Sequence, residues 1–356
     1  MNCTRRLAEL GQSLWLDNIT RPMLDDGTLR RYIEEYAVTG LTSNPTIFEQ
    51  AIAGSNVYDA AIRVRSSAGA SGEALFTELA LEDLRRAADL LRPIHEATDG
   101  LDGWVSMEVS PLLAQDALAT IAAAAQLHAL AARPNLFIKI PGTAEGLSAI
   151  EASIFAGIPV NVTLLFSREQ YLAAAEAYLR GVERRLAAGL DPHVASVASL
   201  FISRWDRAVN DKLSGEMRNR LGIAIGQRSY RAYRELLASP RWQRLAAAGA
   251  RPQRLLWAST GVREPLTSPC LYVEALVAPD TIDTMPEQTL RAFAERGAIT
   301  QLLDSSGGDA EALLARFALA HIDVPALAVQ LQRDGLLAFV ASWKSLLERI
   351  ASRSSA

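Results

Sequence analysis

Eight short, almost uninterrupted apolar runs recur along the chain, at residues 13–19, 38–45, 103–109, 135–141, 158–165, 194–202, 254–261 and 271–277. Strands without a polar face must be buried on both sides, which is the habit of parallel sheets covered by helices. The segments between them read as helices. Leu29 and Ile33 are spaced i, i+4 in residues 27–36, and Leu81, Leu84, Ala88 and Leu91 form one stripe within several helices predicted for residues 46–100. Ser167-Arg168-Glu169-Gln170 has the form of a capping box opening a helix to about residue 188, and further helices are expected over 145–156 and 221–237. Eight such units argue for an α/β chain built as a single (β/α)8 TIM barrel with additional helices, one domain over residues 1–356. The additions fall in residues 46–100 and in a C-terminal helical extension over 280–350, where Thr284-Met285-Pro286-Glu287 reads as a second capping box. No G-x-G-x-x-G follows the first run, which argues against a dinucleotide-binding sheet.

Composition narrows the partners. The net charge of −4 supplies no basic field for nucleic acid. No run of eighteen apolar residues marks a membrane span, and residues 121–132 are too short and contain Gln126 and His128. Cys3 and Cys270 have no metal-like spacing and no disulfide framework, and Cys3 is expected in a mobile N-terminus. The four histidines show no paired-ligand spacing, so no metal is expected. These features predict a cytoplasmic protein whose anionic partners are small molecules held by one or two arginines. A homo-oligomer is compatible with them, and no cofactor is implied.

Polar residues collect where the runs end: Asp17, Asn44, Glu108, Lys139, Asn161 with Thr163, Ser199 and Ser259. In a barrel those ends converge on one mouth, where active sites are built. Each residue also has a structural explanation. Asp17 can cap a helix, Asn44 can serve the turn at Pro45, and Thr163 can pack with its hydroxyl on backbone. Ser259-Thr260-Gly261 can be a plain turn, and Lys139 can snorkel past an edge. A buried carboxylate at Glu108 is harder to explain in that way. Taken together, two carboxylates and an amine at one mouth make a proton-transfer set. Lys139, set between Ile138 and Ile140, is expected to offer an amine that attacks a ketone as a nucleophile. Asp17 and Glu108 are then the available acid and base.

Six segments closely resemble transaldolases, in family order and across about residues 10–350. They are Ser13-Leu14-Trp15-Leu16-Asp17, Thr39-Gly40-Leu41-Thr42-Ser43-Asn44-Pro45-Thr46-Ile47-Phe48, Val105-Ser106-Met107-Glu108-Val109, Phe137-Ile138-Lys139-Ile140-Pro141, Asn161-Val162-Thr163-Leu164-Leu165-Phe166-Ser167 and Leu256-Trp257-Ala258-Ser259-Thr260. The likeness is strongest to the longer bacterial branch. It implies a class I, Schiff-base-forming enzyme of the pentose phosphate pathway, moving a dihydroxyacetone unit from sedoheptulose 7-phosphate to glyceraldehyde 3-phosphate. By that resemblance Lys139 is the nucleophile, Asp17 the acid/base beside the cleaved bond, and Glu108 with Thr163 the pair handling water. Asn44 and Asn161 would hold hydroxyls of the three-carbon unit. Ser199, Phe201 and Arg204 would line the pocket and grip phosphate, with Ser259 a neighbouring hydroxyl. Shorter members carry a second phosphate-binding arginine where this chain has Gly261. The second ligand is therefore open between Arg263 and a residue elsewhere, and Arg263 by itself reads as a solvated loop arginine. Two other readings are a fructose 6-phosphate aldolase, which Glu108 disfavours, and a non-catalytic sugar-phosphate-binding barrel.

Overall fold

A computed structural model describes residues 2–213, 215–264 and 266–354. Eight strands alternate with helices: β1 (Ser13–Leu16), β2 (Val38–Leu41), β3 (Val105–Glu108), β4 (Leu136–Pro141), β5 (Val160–Leu165), β6 (Ser196–Phe201), β7 (Gln253–Ala258) and β8 (Ile282–Met285). They pair in parallel in the order β2-β1-β8-β7-β6-β5-β4-β3. The two free edges meet at a bridge between Gly40 and Trp104. There Gly103 N–H donates to Thr39 O at 2.8 Å and Leu41 N–H to Trp104 O at 2.9 Å, which closes the ring. Closure depends on Gly40, because a Cβ at that position would lie 2.6 Å from the Trp15 indole. All residues of β3 to β8 are buried, as strands covered on both faces require.

The eighth strand is not where the sequence placed it. Leu271–Ala275 is a short helix, and the closing strand is Ile282-Asp283-Thr284-Met285. A closing strand must pair on both sides, and this one matches Ser13–Leu16 on one flank and Leu256 and Trp257 on the other. Its two polar residues find partners inside, Asp283 with Thr260 and Thr284 with Thr42, so an apolar run was the wrong signal. The second capping box falls with that assignment. Thr284 and Met285 belong to β8, and helix Glu287–Arg296 starts after Pro286 without a side-chain cap. The C-terminal helices accordingly begin after residue 286 rather than at 280. Cys3 also departs from expectation: it opens helix Cys3–Glu9 and its thiol donates to Gly297 O at 2.8 Å.

Other local expectations hold. Helices Pro45–Ala53, Asp59–Ser67 and Gly72–Ala97 fill the β2–β3 connection, with Leu81, Leu84, Ala88 and Leu91 buried. Ser167 and Gln170 form a reciprocal capping box at the start of helix Arg168–Ala187. The long C-terminal helix Val324–Ser354 returns across the chain. Its Ser342 hydroxyl meets Thr46 at 2.8 Å, Arg349 pairs with Glu49 at 2.6 Å, and Arg353 pairs with Asp59 at 2.7 Å. No single described helix is long and apolar enough to cross a membrane.

Candidate active site

Because every strand is parallel, all C-terminal ends open on one side, and a cavity of about 500 Å³ lies there. Asp17, Asn44, Lys139, Thr163, Ser199, Phe201, Arg204 and Ser259 all line it. Eight of the ten residues expected from the sequence thus share one wall. Glu108 and Asn161 stand behind it, brought level with the amine by strand register: Glu108 pairs with Lys139 across β3 and β4, and Lys139 pairs with Asn161 across β4 and β5.

Lys139 is 4% exposed and does not snorkel. Its Nζ donates to Ser43 O at 2.9 Å and lies 3.5 Å from Glu108 Oε2. The Ser43 hydroxyl is itself spent on Ser106 O at 2.8 Å, so the loop after β2 is pinned against β3 while its carbonyl faces the amine. Neither carboxylate oxygen of Glu108 has a hydrogen-bond partner among the described residues, nor does Thr163 Oγ1. Native buried polar atoms are seldom left so, and a cluster of them beside an amine marks a place built to receive something. Loss of water pushes the Glu108 carboxyl up, opposed by the Lys139 charge.

Asp17 follows β1 and is no helix cap. Thr20 caps the next helix, and Asp17 instead accepts from the Thr42 hydroxyl. Desolvation pushes its carboxyl up, while the Thr42 bond and the Lys139 and Arg204 charges pull it back. Asn44 does two jobs. Its Oδ1 caps helix Pro45–Ala53 by accepting from Ile47 N–H at 3.0 Å, and the residue still borders the cavity. Asn161 is fully buried, with Nδ2 donating to Ser106 Oγ at 3.1 Å and Oδ1 accepting from Ser199 Oγ at 2.7 Å. These bonds fix its amide and leave one N–H uncommitted.

In the same cavity, Arg204 lies over the Phe201 ring at 4.9 Å and near the Phe339 ring at 5.9 Å. Arg207 and Arg263 line the same cavity. None of the three has a carboxylate or hydrogen-bond partner among the described residues. Burial, then the like charges of Arg207 and Arg263, lowers the Arg204 pKa. Three unpaired guanidiniums around one cavity suit a dianion. Arg263 is exposed, as a loop arginine would be, yet it borders the site. Ser259 takes a positive φ of 56° at the end of β7, and its hydroxyl meets Ser203 at 3.0 Å.

Thr42, Arg207 and Phe339 were missed from the sequence. Arg207 carried a usable signal, one turn beyond Arg204 on helix Ser203–Val209. Phe339 lies in a helix far along the chain, and nothing local announces it. Among the described residues, no cluster of three or more His, Cys, Asp or Glu could hold a metal ion.

The model of the transaldolase/fructose-6-phosphate aldolase family matches residues 14–350, a span that contains every residue named above as lining the cavity. The chain belongs to that family. Among similar members, a transaldolase of Thermobifida fusca is 45% identical over 99% of this chain and 98% of its own length. A transaldolase of Thiobacillus denitrificans is 45% identical over 98% and 100%, and one of Acidothermus cellulolyticus is 46% identical over 96% and 95%. The transaldolase/fructose-6-phosphate aldolase family therefore accounts for this chain almost end to end.

Proposed function

We propose that the chain is a transaldolase that works through a Schiff base on Lys139. The carrying observation is the buried Lys139 amine, 3.5 Å from a Glu108 carboxylate that has no other partner, at one cavity with Asp17. In the reaction, Glu108 takes a proton from the ammonium, and the Nζ lone pair adds to the ketone carbon of sedoheptulose 7-phosphate. The carbonyl oxygen leaves as water, guided by Glu108 and Thr163. Asp17 then accepts the proton of the hydroxyl next to the scissile bond. The electrons of that carbon–carbon bond flow to the iminium nitrogen, and erythrose 4-phosphate departs as an aldehyde. The enamine left on Lys139 attacks glyceraldehyde 3-phosphate, Asp17 returns the proton, and hydrolysis of the new imine frees fructose 6-phosphate.

Asn44 and Asn161 suit the hydroxyls of the bound three-carbon unit, and Arg204, Arg207 and Arg263 suit the far phosphate. A simple fructose 6-phosphate aldolase would let a proton capture the enamine; Glu108 beside Lys139 favours the transferase. The two free thiols fit a reducing compartment, and we place the activity in the cytoplasm on that ground.

Borohydride reduction in the presence of fructose 6-phosphate, followed by peptide mapping, tests the mechanism. The expected result is a covalent adduct on Lys139 and none in Lys139→Ala. Activity intact in that variant would overturn it. Adding erythrose 4-phosphate as acceptor separates transfer from simple cleavage.

A further inference from the structure

The 31-residue C-terminal helix contains one glycine, Gly335, well inside it. Glycine weakens a helix interior relative to alanine, so its presence there calls for a reason on the face it presents. Gln332, Gly335 and Phe339 fall at i, i+3 and i+7, and all three turn toward the barrel mouth. Gln332 donates to Gly142 O and to Leu164 O, each at 3.0 Å, which ties the helix to the ends of β4 and β5. Phe339 borders the cavity and lies near the Arg204 guanidinium. A Cβ at position 335 would sit 3.0 Å from Arg204 Nη1 and 3.0 Å from Leu164 Cδ2. Leu164 cannot easily retreat. It is fully buried, its φ is 59°, and it lies within the irregular register between β5 and β6.

We infer that Gly335 and Phe339 are positioning residues for Arg204, the missing side chain at 335 leaving the slot in which the guanidinium lies. The inference rests on the reading above that Arg204 meets the phosphate of the sugar. The guanidinium is held by shape, between Phe201, Phe339 and the bare backbone at Gly335, with no hydrogen bond tying it to the described residues. Its donors therefore stay free for an incoming dianion, and little order has to be gained on binding. Any side chain at 335 pushes Nη1 toward the cavity or tilts the fork out of line with the phosphate.

The test pairs Gly335→Ala and Gly335→Leu with the same changes in an Arg204→Ala background. Affinity for inorganic phosphate is measured by calorimetry, and steady-state constants are taken with saturating erythrose 4-phosphate as acceptor and with fructose 6-phosphate or unphosphorylated fructose as donor. An alanine must displace Nη1 by a few tenths of an ångström, and a leucine must displace it by more. Gly335→Ala is expected to weaken phosphate binding about threefold and Gly335→Leu about tenfold or more, the scale of one charge-assisted hydrogen bond. KM for fructose 6-phosphate rises in step, while kcat and the constants for fructose hold. In the Arg204→Ala background neither change has any further effect on phosphate affinity. Phe339→Leu, which keeps the helix and removes the ring, provides a second variant with the same expected split. Unchanged phosphate affinity in Gly335→Leu, or an equal loss with and without Arg204, overturns the inference. Failure of the wild type to turn over fructose 6-phosphate in the presence of erythrose 4-phosphate would instead count against the transaldolase reading, since the calorimetry needs no reaction.

Discussion

The Thr42 hydroxyl donates to Asp17 Oδ1 at 2.7 Å. Its own oxygen lies 2.7 Å from the Thr284 hydroxyl, so β8 supports the carboxylate of β1 through the loop that follows β2. This bond stabilises the ionised carboxylate, against a burial that favours the protonated acid. Thr42→Val removes it, and Asp17 should titrate still higher. Cleavage needs Asp17 ionised, so the acid limb of the pH–kcat profile should move to higher pH. Activity should fall on the acid side of the profile and recover on the alkaline side. A loss equal at every pH would count against this role.

Glu108 is placed to move protons during imine formation rather than to bind sugar. Glu108→Gln keeps the shape and loses the base. Imine formation, followed by rapid-quench trapping with borohydride, should slow by roughly a hundredfold or more. The dissociation constant for fructose 6-phosphate should change little. A weakened complex with unchanged single-turnover chemistry would reverse the assignment.

Arg207 and Arg263 should matter only for phosphorylated ligands. Replacing either by alanine should raise KM for fructose 6-phosphate by about tenfold, the scale of one hydrogen bond to a charged group. Constants for fructose should not move. If neither variant differs from wild type, Arg204 acts alone at that end of the cavity.

Asp283 is buried in β8 with Oδ2 unpartnered, and desolvation pushes its carboxyl up to about 7. The folded chain then holds a proton that the unfolded chain releases near the ordinary value of 3.8. Stability is therefore lost as pH rises from that value through about 7, with a slope approaching about 1.4 kcal/mol per pH unit for this group. Asp283→Asn should remove most of that slope in urea titrations at pH 5.5 and 8. An unchanged slope would assign the pH dependence to other groups.

The barrel was legible in the sequence wherever burial on both faces forced an apolar strand. The candidate site was legible because Asp17, Glu108 and Lys139 break that rule at strand ends. β8 was hidden for the opposite reason: two of its four residues are polar, and their side chains meet Thr260 and Thr42 from neighbouring segments. Leu271–Val277 looked more like a strand than the strand itself, since local composition cannot register which segment pairs on both flanks. The roof over the cavity was hidden too. Gly335 and Phe339 meet Arg204 across more than a hundred residues of chain, and a glycine within a helix carries no mark of what it makes room for. Asn44 was legible as turn chemistry at Pro45, and it caps the helix that starts there.

The ring of strands closes at one bridge, Gly40 to Trp104, and Lys139 leans across that closure. Its Nζ is tied to Ser43 on the β2 side and paired with Glu108 on the β3 side. If those two strands drift apart on warming, the amine loses its carbonyl anchor while most of the barrel remains paired. Catalysis in this chain should then fade at temperatures where circular dichroism still records a fully folded protein, with heat erasing the function ahead of the form.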